Sequence, residues 1–361
     1  MSDTSAAIWA RYDALTTRVG DSPWDHGANS PGFVPDLVLL RDLLSVPIEL
    51  QASVRSGLHA KAVDVWVAAE LRRAGFGGDE VWPRAAVPRV LPREVSLVLG
   101  MLPPTTREEV LTRLRAKPAG AVSADASVLG RAYNKQVDVV ISQWARGPEL
   151  LISSKRMHSS LSNNAFNRIE ESYGDAHNLR GRHPLAAIGY VLLIRGDAIR
   201  ESPSSAERLI DLVGKLGRDP VGYDATCVIV ADWADRDLRP QPVSVRLVDD
   251  IVPPDLRVDR FLKVMVEAVL DRTPVDAHVR VRELRSGTAL AVQEDESAKG
   301  VRGASAAIRD PGGLVGQVDI SRPEGLPEIV LDSPADGLRT RDADSAEVLG
   351  ADSEIPIRHS D

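Results

Sequence analysis

An aspartate and a Ser-x-Lys triplet stand close together in the middle third of the chain, on two runs that alternate apolar and polar residues. The runs cover residues 136–142 and 149–156, so they predict a β-hairpin. Ser153 and Lys155 share one face of the second run because side chains alternate along a strand, and Asp138 on the first run can approach them. Carboxylates bind Mg²⁺, and an ammonium group stabilises negative charge on a phosphate. The trio therefore predicts metal-assisted hydrolysis of a phosphate ester.

The elements that follow the hairpin would position this trio. Residues 163–180 predict an amphipathic helix that ends at Gly181, and residues 185–194 form a nearly continuous apolar run typical of a buried central strand. Further helices and strands alternate up to about residue 270. This alternation predicts a mixed α/β layer structure.

The order strand, strand, helix, strand, with Asp138 on the first strand and Ser153-Ser154-Lys155 on the second, resembles the PD-(D/E)xK nuclease superfamily. The resemblance implies a restriction-endonuclease-like mixed sheet core flanked by helices. It also implies Mg²⁺-dependent cleavage of double-stranded DNA by a restriction or phage-defence enzyme. Such an enzyme would act as a homodimer or homotetramer and could have a cognate methyltransferase.

Ser153 stands where most members of that superfamily have an acidic residue. One group of restriction endonucleases shares a Ser-x-Lys strand and takes the second carboxylate from the following helix, after an Asn-Ala element. This chain has Asn164-Ala165 and then Glu170 and Glu171. The resemblance thus implies that Asp138 and a helical glutamate bind Mg²⁺. Ser153 would orient a ligand or a metal-bound water, and Lys155 would act on the phosphate or the attacking water.

Helix geometry favours Glu170 over Glu171 as that ligand. The apolar stripe of the helix is predicted from four residues at helical spacing: Phe166, Ile169, Tyr173 and Ala176. Glu170 borders this stripe, whereas Glu171 neighbours polar residues and is expected to be solvated or salt-bridged. Glu149, at the far end of its strand, is a weaker additional candidate.

A dense polar patch surrounds the predicted start of the helix. Its members are of types that donate hydrogen bonds to phosphates and base edges. The candidates for DNA contact are Arg156, Asn163, Asn164, Asn167 and Arg168. The alternative is that Ser162 or Asn163 caps the helix and that the rest is ordinary surface.

Composition restricts the remaining possibilities. The chain has one cysteine, Cys227, which excludes a disulfide framework and a cysteine-based zinc site. Its start lacks the pattern of a signal peptide, and no run approaches the roughly 18 apolar residues that span a bilayer. We therefore expect a cytoplasmic protein that does not act in a membrane.

The net charge of −8 is unevenly distributed. Residues 291–361 contain 15 acidic and 7 basic residues, so the remainder of the chain is neutral, with 37 of each sign. A neutral body is compatible with a basic cleft for nucleic acid. We predict a mainly helical region at 1–120, a nuclease core at 121–290 and a disordered acidic tail at 291–361.

Two other functions remain open at this stage. Ser153 in place of an acid favours a catalytically inactive nuclease-fold protein that binds nucleic acid or forms part of a complex. Retention of Asp138, Lys155 and Glu170 argues against it, because an inactive site has no reason to keep all three. A third hypothesis is a scaffold whose acidic tail binds partners.

Overall fold

A computed structural model describes residues 3–17, 20–27, 30–53, 56–116, 126–157, 161–234 and 244–290. The described residues, which end at residue 290, belong to one compact unit, and the predicted boundary at residue 120 lies outside the described residues. The predicted disordered tail lies outside the described residues. No helix in the described part of the chain is long and apolar enough to cross a membrane.

The centre of the unit is a six-stranded mixed sheet, in agreement with the α/β class expected from the sequence. Its spatial order is β10-β9-β8-β7-β6-β3. The strands β7, β8 and β9 are parallel, whereas β3 and β6 at one edge and β10 at the other pair antiparallel with their neighbours. The strands of this sheet are β3 (Val81–Trp82), β6 (Val139–Gln143), β7 (Gly147–Met157), β8 (Ala187–Arg195), β9 (Ala225–Asp232) and β10 (Arg246–Leu247).

Two small antiparallel pairs lie outside the main sheet: β1 (Trp24–Asp25) with β2 (Gly32–Phe33), and β4 (Ala126–Leu129) with β5 (Asn134–Val137). The helices are α1 (Asp3–Thr16), α2 (Leu37–Glu49), α3 (Leu58–Arg73), α4 (Arg93–Met101), α5 (Pro104–Arg115), α6 (Leu161–Arg180), α7 (Gly196–Glu201), α8 (Pro203–Leu216), α9 (Val258–Arg272) and α10 (Val279–Ser286).

Helices cover both faces of the sheet. On one face α2, α3 and α9 pack against side chains such as Ile152 and Val191, and on the other α6 and α8 pack against Leu151 and Leu192. We call these the α3 face and the α6 face. Burial on both faces explains why β8 is apolar along nearly its whole length.

The central strand β8 also shows how tightly the α3 face is packed. A Cβ atom added to Gly189 would lie 2.9 Å from the ring of Phe261 and 3.0 Å from the side chain of Met265, both on α9. Glycine at this position therefore lets α9 approach the sheet.

The predicted strand 136–142 is wrong in one respect that matters for the site. The chain bends at Asp138, so β5 ends at Val137 and β6 begins at Val139, in a different sheet. Val137 consequently packs on the α6 face, while Val139 and Ile141 pack on the α3 face. An uninterrupted strand through residue 138 would place the side chains of Val137, Val139 and Ile141 on the same face, but the bend at Asp138 breaks this alternation.

Candidate active site

Asp138 lies at the bend between β5 and β6, beside the middle of β7. Its backbone N–H donates to the carbonyl of Ile152 at 3.1 Å, as in a regular antiparallel ladder. Its carboxylate Oδ2 then accepts the backbone N–H of Ser154 at 2.9 Å. A side-chain oxygen thus continues the ladder where the backbone turns away, which fixes the carboxylate at the edge of β7.

A second carboxylate, Asp64 of α3, approaches the same point of β7 from the α3 face. Asp64 is 1 % exposed and accepts a short hydrogen bond from the Ser154 hydroxyl. Lys61, one turn earlier on α3, lies with its Nζ 3.1 Å from Asp64 Oδ2 and 3.3 Å from Asp138 Oδ1. One cation therefore faces two carboxylates that come from distant parts of the chain. We call Lys61, Asp64, Asp138 and Ser154 the α3-side cluster.

The electrostatics of this cluster follow from its burial. Burial and the nearby charge of Asp138 raise the pKa of Asp64 to about 7, against the opposing effects of Lys61 and the Ser154 hydroxyl. Burial alone would lower the pKa of Lys61, but the two carboxylates outweigh it and raise that pKa. The two carboxylates of the cluster thus repel each other, and a cation between them reduces this repulsion.

The donor set of the α3-side cluster fits Mg²⁺. Mg²⁺ prefers carboxylate and hydroxyl oxygens and usually keeps several of its waters, so one or two protein carboxylates suffice. Among the described residues no three His, Cys, Asp or Glu side chains cluster as a complete metal site. The cluster is open on the side of Lys61, whose side chain is 30 % exposed. There Lys61 and Asp138 line a cavity of about 40 Å³, which has room for about one water molecule.

Ser153 and Lys155 lie on the opposite side of β7 from Ser154, because side chains alternate along the strand. The Ser153 hydroxyl is buried, and no described residue gives it a hydrogen-bond partner. Lys155 is half-buried and faces α6 rather than the α3-side cluster. The hydrogen bonds of the Asp138 side chain are with Ser154 and Lys61, and the predicted approach of Asp138 to Lys155 is not among them.

The α6 face carries a second charged cluster, in which Glu171 lies near several cations. Its carboxylate lies 2.9 Å from Arg168 and 3.9 Å from Lys135. Burial would raise the pKa of Glu171, but Arg168, Lys155 and Lys135 outweigh it and lower that pKa. The expectation that Glu171 is salt-bridged is therefore confirmed.

Glu170 is exposed, and the apolar stripe of α6 differs from the predicted one. Ile169 and Ala176 are buried as expected, but Phe166 is 38 % exposed and lies under the guanidinium of Arg208, which is 4.2 Å from the ring centroid. The buried stripe instead runs through Ala165, Ile169, Ser172 and Ala176. Glu170 thus does not border the buried side, because the helix is rotated relative to the predicted orientation. Its role as a metal ligand stays a prediction.

The other sequence-based candidates are scattered. Arg156 is half-buried on the α3 face, and burial lowers its pKa to about 10. Asn167 and Arg168 are exposed on α6, and their contact with DNA stays a prediction. The side chains of Asn163 and Asn164 lie outside the described residues.

Glu149 belongs to a different part of the molecule. It is 4 % exposed, pairs with Arg146 at the β6–β7 turn, and accepts from His278 Nε2 at 3.0 Å. His278 Nδ1 faces Glu80 at 3.6 Å, and the histidine side chain is 2 % exposed. Glu149 is therefore part of a buried ion-pair network that attaches α10 to the sheet, at the opposite end of β7 from Ser154.

Asp64 and Lys61 are absent from the sequence-based site, although the sequence contains a signal for them. Asp64 interrupts an apolar run of α3, from Ala62 to Ala69, whose other residues are all buried. A charged residue within a fully buried helical segment needs a partner, which makes it a candidate for a site. Comparisons with models of known protein families, with curated proteins and with solved structures find no match to this chain.

Proposed function

We propose that this protein is a Mg²⁺-dependent endonuclease that hydrolyses phosphodiester bonds in double-stranded DNA, in a restriction or phage-defence role. The observation that carries the proposal is the meeting of two carboxylates, Asp64 and Asp138, around one cation position beside β7. The resemblance of the strand, strand, helix, strand order to restriction-endonuclease-like cores supports the same function. A homodimer or homotetramer and a cognate methyltransferase belong to this proposal.

In this proposal Asp138 and Asp64 would hold the metal. A bound Mg²⁺ would supply a Lewis acid for the phosphate and a more acidic water. The Ser154 hydroxyl and backbone N–H keep the two carboxylates turned toward each other. Lys61 neutralises them in the metal-free protein and would give up this position to a divalent cation.

In this proposal Lys155 interacts with the DNA backbone rather than with the metal. It is half-buried at the end of β7, where its positive charge, with those of Lys135 and Arg168, exceeds the negative charge of Glu171 and Asp175. Such a net positive surface attracts a phosphate backbone. Lys155 would therefore hold the DNA backbone on the α6 face of β7, across the β-strand from the carboxylates that would hold the metal.

Cleavage assays test the proposal. A pool of plasmid and phage DNAs, methylated and unmethylated, is incubated with the full-length protein in Mg²⁺, in Mn²⁺ and in EDTA. We expect metal-dependent cutting that Asp138→Asn and Asp64→Asn each reduce at least about 100-fold. Asp211→Asn is the matched control, since this aspartate is exposed on α8 and pairs only with Lys215 among the described residues.

Glu170→Gln decides between the two candidates for the second carboxylate. Unchanged cutting in Glu170→Gln, with loss in Asp64→Asn, assigns the ligand to α3. The reverse result restores the sequence-based assignment to α6. Absence of cutting on the whole pool, with intact binding of duplex DNA, favours instead an inactive nuclease-fold protein, for which Ser153 is the motivating departure.

A further inference from the structure

Arg156 stands two residues beyond Ser154 on β7. Because side chains alternate along a strand, both residues lie on the α3 face, whereas Lys155 between them faces α6 and the charge of Glu171. Two residues of a strand span about 7 Å, and an extended arginine side chain is of similar length. The guanidinium of Arg156 is therefore within reach of the space beside the α3-side cluster.

The edge of β7 next to Arg156 is open on the side from which Asp138 approaches. β6 pairs with β7 only as far as Ile152, which lies opposite Val139. From Ser153 to Met157 the pairing described for β7 is with β8 alone. This edge gives a phosphodiester one approach to both Arg156 and the α3-side cluster.

The amino-terminal end of α3 lies on the same side of the cluster as Arg156. Asp64 contacts Ser154, whereas His59, at the start of α3, stacks on Trp233 just beyond β9, with 5.9 Å between the ring centroids. Since β9 is parallel to β7, α3 runs antiparallel to both, and its first turn points toward the strand ends where Arg156 lies. The partial positive charge of this helix end adds to the charge of Arg156.

The charges balance when a phosphodiester lies between Arg156 and the two carboxylates. Asp64 and Asp138 together carry two negative charges, which a divalent cation between them neutralises. The phosphodiester adds one negative charge, and Arg156 supplies one positive charge. The ion pairs described for the two carboxylates are with Lys61 rather than with Arg156. Burial lowers the pKa of Arg156 to about 10, so its guanidinium remains cationic at neutral pH.

We propose that Arg156 is a catalytic residue that binds the phosphate to be cleaved, on the same side of β7 as the two carboxylates. A guanidinium donates two parallel hydrogen bonds to phosphate oxygens, which orients the phosphate and balances its charge. The inference rests on the proposed function and deepens it, because it moves the charge-stabilising role from Lys155 to Arg156. Lys155, on the α6 face, would then act on the DNA backbone away from the reacting phosphate.

Phosphorus resonance spectroscopy tests the inference without cleavage. Dimethyl phosphate is added to the full-length protein, which is in excess over Mn²⁺ so that the metal is bound. Broadening of the phosphorus resonance then reports a phosphodiester beside the metal. We expect broadening in the wild type, and its loss in Arg156→Met with Mn²⁺ still bound. Arg113→Met is the matched control, because this arginine is exposed on α5, where it pairs with Glu109, and it should behave as the wild type.

Arg156→Lys provides a second variant that keeps the charge and the apolar part of the side chain. It should fold as the wild type does, but it lacks the paired donors of a guanidinium. Loss of one hydrogen bond between charged groups should weaken the affinity for dimethyl phosphate at least about 10-fold.

Failure of this inference and failure of the proposed function give different results. Broadening that both Arg156 variants leave undiminished overturns the role of Arg156, as does a wild type that binds Mn²⁺ without broadening the resonance. Broadening that Lys155→Met abolishes and Arg156→Met retains returns the role to Lys155. In all three cases the metal site stands. A wild type that binds no Mn²⁺ overturns the proposed function and this inference with it.

Discussion

Replacement of Lys61 by methionine is the most informative perturbation of the α3-side cluster. Methionine preserves the apolar length of the side chain on α3 but removes the ammonium that lies 3.1 Å from Asp64 and 3.3 Å from Asp138. The variant leaves the two carboxylates facing each other without a cation. We therefore expect Lys61→Met to destabilise the metal-free protein.

The magnitude follows from the burial of the three groups. Removal of one partner of a fully buried ion pair typically costs 3–5 kcal/mol. Asp64 is buried, but the side chains of Asp138 and Lys61 are 17 % and 30 % exposed, so solvent screens part of the interaction. We expect a loss of about 2 kcal/mol at pH 8, equivalent to a fall of about 4–8 °C in melting temperature.

The metal dependence of the same variant separates a metal site from a simple ion pair. A divalent cation that binds between the two carboxylates stabilises the folded protein by mass action, by about 2.7 kcal/mol at a hundred times its Kd. Lys61 competes for the same position in the wild type. Mg²⁺ or Mn²⁺ should therefore raise the melting temperature of Lys61→Met more than that of the wild type.

Differential scanning fluorimetry with and without the metal measures both effects. Lys215→Met is the control, because Lys215 forms an exposed ion pair with Asp211 on α8, and such pairs contribute little to stability. The reasoning is refuted if Lys61→Met melts at the wild-type temperature, or if the metal stabilises the wild type and the variant equally.

Two further predictions concern the body of the protein. Burial acts to raise the pKa values of Glu80 and Glu149 and to lower the pKa of His278. The salt bridges between His278 and the two glutamates outweigh this effect, so the pKa values of both carboxyls are lowered and that of the histidine is raised. Stability from the carboxyls is thus lost as the pH falls below about 4.5, and stability from His278 is lost as the pH rises from about 6.5 through its raised pKa. Urea unfolding between pH 5 and 9 should show the alkaline loss, and Glu149→Gln should reduce it; an identical pH profile in both proteins would contradict the assignment. Gly189→Ala should lower the free energy of unfolding by about 1–3 kcal/mol, because the new methyl group would lie 2.9 Å from the ring of Phe261, and urea unfolding with an undiminished midpoint would show that α9 can move away.

Much of the fold can be read from local sequence patterns. The apolar run of β8 and the helix α6 were predicted within two residues of their observed bounds, since an apolar run and an end signal such as Gly181 depend only on local sequence. The short strand β3 has too few residues for a pattern, and α4 follows a proline-rich segment that favours an extended interpretation. Their structure depends on tertiary neighbours.

The candidate site was less predictable because its parts are brought together by the fold. Asp138 and the Ser-x-Lys strand were identified from spacing. The bend at Asp138, and the face of β7 on which its carboxylate lies, depend on the pairing of β5 with β4 rather than with β7. Asp64 is distant in sequence from Ser154, and only the packing of α3 on β7 brings them into contact. The exposed position of Glu170 follows from a rotation of α6 that a periodicity over a few residues does not resolve.

Binding of Mn²⁺ to the full-length protein, followed by electron paramagnetic resonance, tests the central claim most directly, since it requires no knowledge of a DNA sequence. We predict a bound Mn²⁺ that Mg²⁺ displaces, that both Asp138→Asn and Asp64→Asn abolish, and that Asp211→Asn retains. Mn²⁺ binding that survives the Asp64→Asn and Asp138→Asn variants, or no binding by the wild type at millimolar metal, would contradict a metal site between these two carboxylates.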